Sequence, residues 1–109
     1  MDNKKIAELL LGLLAENKTE TNSELPFKVG EKYFVRTVTH YMVGKLEEIT
    51  GGFLVFSSAS WIADTGRFTD FLKTGKAKEV EPVVGLYRLA LGSVVDAFEF
   101  EHKLPKEQK

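Results

Sequence analysis

The chain has 109 residues, the size of a single domain, and a net charge of -1 at pH 7. That balance supplies no global attraction to nucleic acid or to an anionic membrane surface. The absence of cysteine excludes a disulfide framework, a thiol nucleophile and a thiolate metal site.

Residues 3–16 are predicted to form an amphipathic helix. Ile6, Leu9, Leu10, Leu13 and Leu14 recur at helical spacing, and Asp2 or Asn3 stands where a cap is needed. A helix that short is marginal in water, so it needs the rest of the domain or a partner to dock on. The apolar run from Ile6 to Ala15 is interrupted by Glu8 and no small-residue cleavage site follows. No run approaches the roughly 20 apolar residues that cross a bilayer, so a cytoplasmic protein with no membrane partner is expected. Residues 17–30 read as a polar connector, in which Pro26 biases Leu25 toward an extended conformation.

Residues 31–62 read as strands one to three. Tyr33 to Val43 is rich in valine, threonine and aromatic residues, with a bend expected near His40 and a bulge or close strand crossing at Gly44. Lys45 to Ile49 resumes the extended pattern, Gly51-Gly52 makes a tight turn, and Phe53 to Phe56 is apolar on both faces. Residues 63–82 form a helical excursion. Asp64-Thr65-Gly66 is a turn signature, Phe68, Phe71 and Leu72 line one side of a short helix, and Gly75 sits where that helix stops. Lys76 to Pro82 reads as a charged connector. Residues 83–103 carry strands four (Gly85–Leu91) and five (Val94–Glu101), and 104–109 read as a frayed tail.

One helix followed by five strands in a strongly bent antiparallel barrel resembles the Sm-like fold of the Sm and Hfq proteins. The likeness spans residues 3–16, 33–61 and 86–101. It rests on Gly44 to Phe56, a strand glycine followed by a turn and an apolar strand, and on Leu89-Ala90-Leu91-Gly92-Ser93-Val94-Val95. The resemblance implies a ring-forming homo-oligomer and, as an alternative, RNA binding. The family's RNA-contacting aspartate and asparagine have no counterpart around Gly51 and Phe53, and Leu91 stands where a basic residue is expected. Trp61 to Phe68 also resembles a stretch found in small proteins of phage and bacterial genomes, to which no established activity attaches.

The polar residues do not compose an active site. Ser57, Ser58 and Ser60 have no evident activating base, and Gly51-Gly52 lacks the flanking lysine and threonine of a phosphate loop. His40 and His102 can meet only if the first and last strands pair, and two histidines without a third ligand make a poor metal site. No enzyme activity, cofactor or metal is therefore expected. Arg36, Lys45 and Arg88, with Tyr41, are candidate nucleic-acid contacts. Asp64, Arg67 and Asp70 either hold a small anion or nucleotide or organise their own turn. Trp61, Phe68, Phe71 and Leu72 are candidate interface residues. The expectation favoured is a non-enzymatic assembly or interaction module that partners itself.

Overall fold

A computed structural model describes residues 25–109. The predicted N-terminal helix over 3–16 lies outside the described residues. The described chain is mainly β. Its elements are β1 (Lys32–Thr37), β2 (Tyr41–Thr50), β3 (Phe53–Asp64), the helix α1 (Phe68–Thr74), β4 (Glu79–Pro82), β5 (Tyr87–Ala90) and, after a 3-10 turn at Leu91–Ser93, β6 (Val94–Glu99). All neighbouring strands are antiparallel, in the order β4-β3-β2-β1-β6, with β5 also paired to β3.

This corrects the expected five-stranded Sm-like barrel. The sheet has six strands and is open, since β5 pairs β3 while β6 pairs β1 at the far side. The additional strand is β4, where Glu79, Glu81 and Pro82 mask a period of two. Val80 between the two glutamates is buried, and Pro82 closes the strand where a missing N–H is tolerated.

The long run from Tyr33 to Val43 is also two strands rather than one. Thr37 turns the chain with no glycine. Its N–H donates to the His40 carbonyl at 2.8 Å, and its hydroxyl donates to that same oxygen at 2.8 Å. The hydroxyl oxygen in turn accepts from the N–H of His40 at 3.0 Å and of Thr39 at 3.3 Å. By contrast, the β2–β3 turn is the expected glycine pair, with φ of 58° at Gly51 and 79° at Gly52.

The sheet is buried on both faces because its strands alternate between two cores. Tyr33, Val35, Met42, Leu46, Leu54, Phe56 and Leu89 belong to the first, and Phe34, Val43, Ile62 and Val80 to the second. The second core is roofed by Phe71 of α1 and by Phe100, with Phe68, Leu72, Phe98 and Leu104 packed around them. β3 serves two neighbours: its first half pairs β5 and its second half pairs β4. It changes partner at a bulge where Gly44 faces both Ser58 and Ala59. A Cβ on Gly44 would lie 3.0 Å from Cβ of Phe56, so the close crossing expected at this glycine is present.

The tail corrects another expectation. It is laid along the outer edge of β4, with Val80 and Lys109 exchanging backbone hydrogen bonds at 2.9 and 3.0 Å. Leu104 packs on the second core, which gives an otherwise polar tail its anchor.

Candidate functional site

The β1–β2 turn brings His40 over the ring of Trp61, with centroids 5.0 Å apart. Tyr87, at the start of β5, completes a three-ring cluster. Its centroid is 6.2 Å from His40 and 6.5 Å from Trp61. Both imidazole nitrogens are engaged by hydroxyls: Nε2 lies 2.6 Å from the Tyr87 hydroxyl and Nδ1 lies 2.9 Å from that of Thr39. Burial against the first core pushes the Tyr87 phenol above its ordinary value. With both nitrogens held by hydroxyls, the imidazole has none turned out to solvent. What the cluster offers is a stacking surface with a polar rim. Trp61 is 46% exposed, and two further exposed apolar residues neighbour the cluster in sequence, Leu86 (50%) before Tyr87 and Val38 (87%) in the His40 turn.

Arg36 sits elsewhere, inside the protein's own aromatic cage. Its guanidinium carbon is 5.0 Å from the Phe68 centroid, 5.5 Å from that of Phe98 and 6.0 Å from that of Tyr41. Two parallel bonds tie it to Asp96: Nε donates to Oδ1 at 2.7 Å and Nη2 donates to Oδ2. These bonds hold the Asp96 carboxyl below the usual carboxylate range and raise the guanidinium further. The four candidate nucleic-acid residues are spread over β1, β2 and β5. Arg36 and Tyr41 face each other across the β1–β2 ladder, Lys45 stands at its other end opposite Lys32, and Arg88 lies on β5 opposite Val55.

Of the charged cluster, Asp64 bonds within the turn through its side chain. Asp64 accepts from the Gly66 N–H at 2.8 Å, and Arg67 is the exposed residue preceding α1, its carbonyl accepting from Phe71 N–H at 3.0 Å. Asp70 lies in the first helical turn, and its carbonyl accepts from the Thr74 hydroxyl at 2.8 Å. Neither Asp64 nor Thr65 caps the helix with its side chain.

Three of the four candidate interface residues belong to the second core. Phe71 is buried between Phe34 and Phe100, with centroids at 4.8 and 5.7 Å, while Phe68 and Leu72 are half-buried beside it. Trp61 alone of the four projects into solvent at the aromatic cluster. His40 and His102 stay apart although β1 and β6 pair, because they follow opposite ends of β1. His102 instead approaches the end of α1, its Nε2 2.9 Å from the Leu72 carbonyl oxygen. Among the described residues no three histidine, aspartate or glutamate side chains converge for a metal, and no helix is long and apolar enough to cross a membrane.

Sequence reasoning did not join Tyr87 to His40 or Asp96 to Arg36. Each partner is distant in sequence, 47 residues for His40 with Tyr87 and 60 for Arg36 with Asp96, and no local spacing links them. The one signal available was that both Arg36 and Asp96 interrupt apolar strands. Comparison of the chain with protein-family models, with curated proteins and with solved structures finds no match.

Proposed function

We propose that the protein is a non-enzymatic assembly module that associates with further copies of itself through the Trp61–His40–Tyr87 surface. The observation that carries this reading is the exposure of Trp61, clustered with His40 and Tyr87, on a chain with two well-buried cores. An indole next to a phenol ring, rimmed by hydroxyl and imidazole groups, is the composition of an interface centre. Closed symmetry is the usual form that such self-association takes. Because both His40 nitrogens are held by hydroxyls, the ring cluster is fixed before contact, which lowers the ordering cost of association.

Sedimentation velocity on the intact chain at tens of micromolar tests the proposal. The expected result is a particle several times the 12.2 kDa chain mass. The pair Trp61→Ser and Leu86→Ser is expected to sediment as the monomer while keeping its β-sheet circular dichroism. A wild-type monomer overturns the assembly reading, and an oligomer that survives both substitutions moves the contact away from this surface.

A further inference from the structure

The tail and the end of α1 enclose a second feature, a cleft of about 380 Å³. Four lysines line it: Lys76 from the segment after α1, and Lys103, Lys106 and Lys109 from the tail. Glu107 is the single acidic residue on its wall. Among the described residues the salt bridge formed is Arg36 with Asp96, so none of these four ammonium groups is paired with a carboxylate. A chain of net charge -1 has thus gathered four lysines against one glutamate around one concavity.

The backbone that carries them is fixed. Lys109 pairs with Val80, the Ser60 hydroxyl reaches the Pro105 carbonyl at 3.5 Å, and Leu104 is anchored in the second core. Gly75, left-handed at φ 72°, presses against His102 so closely that a Cβ would fall 2.4 Å from His102 Cβ. The two walls of the cleft are therefore locked together at one end. All four lysines are exposed, and those three residues apart along the tail stand at most about 10 Å from one another along the backbone.

We propose that this cleft binds a linear phosphate chain, the backbone of a single-stranded nucleic acid. Lysine is a point-charge phosphate binder that needs no fork geometry. Three of the four lysines follow one another along the tail, which suits the repeating charge of a single strand. Binding of this kind needs no base readout, so it is expected to be indifferent to sequence.

The test is fluorescence anisotropy of the intact chain with labelled oligo-dT and oligo-rU, with labelled inorganic polyphosphate and with vesicles containing anionic lipid. Four phosphate contacts on a single strand predict a fall in affinity of about 50-fold between about 50 and 200 mM salt. Lys76→Gln, Lys103→Gln, Lys106→Gln and Lys109→Gln together are expected to weaken oligonucleotide binding at least about tenfold, while Lys45→Gln with Arg88→Gln leaves it unchanged. No oligonucleotide binding at low salt overturns the proposal, as does undiminished binding by the fourfold variant. Binding of polyphosphate or vesicles without oligonucleotide overturns the assignment to nucleic acid. Because the cleft and the Trp61 surface share no residue, each set of variants reports on its own site.

Discussion

Ser58 is held at φ 50°, the left-handed region that a residue with a Cβ adopts at a cost of about 1–2 kcal/mol. It occupies the place in the β3 bulge that glycine fills most readily. Ser58→Gly is therefore expected to stabilise the protein by about 0.5–1 kcal/mol, after the greater chain entropy of glycine is deducted. Chemical denaturation measures it, and a loss of stability would show that the serine side chain itself holds the bulge. Arg36 and Asp96 give a second residue-scale expectation. The bond from Arg36 depresses the Asp96 carboxyl in the folded chain, so the pair contributes stability above the ordinary carboxylate pKa. That contribution is lost as pH falls through the depressed value. The melting temperature of Asp96→Asn is expected to lie below wild type at neutral pH and to converge on it in acid, and a gap independent of pH would contradict the ion-pair account.

At the scale of elements, α1 was legible because Phe68, Phe71 and Leu72 repeat at helical spacing and Gly75 follows. The structure shows Gly75 in the left-handed conformation, its N–H donating to the Phe71 carbonyl at 2.7 Å. The β1–β2 turn was not legible as a chain reversal, since threonine hydroxyls there do what glycine or asparagine usually does. Nor was β4, whose one buried side chain is flanked by glutamates. The helix also shows how spacing alone leaves a residue's role open. Phe68 and Phe71 share one stripe, yet Phe71 lies within the second core and Phe68 at its margin. Phe71→Ala is expected to cost about 3–5 kcal/mol, and Phe68→Ala clearly less, since part of its ring stays in solvent. Equal costs in urea denaturation would place both rings in the core.

For the whole molecule, the sequence carried the β character, the glycine turn and the positions of most strands. It did not carry closure or openness, because that depends on which distant strands meet. The candidate surfaces follow the same rule. Trp61 was visible as a large aromatic residue, but its companions His40 and Tyr87 come from other elements, and the lysines of the cleft come from a tail with no pattern of its own. The strand order has a further consequence, for the chain as it is made. β1 lies inside the sheet, yet one of its two neighbours is the edge strand β6, at residues 94–99. On a ribosome that emits the chain from its N-terminus, β1, β2 and β3 emerge with one edge of β1 bare, and the roof of the second core, Phe100 and Leu104, follows later still. The sheet cannot be completed until β6 has emerged, so until then the nascent protein carries an apolar strand with one bare edge.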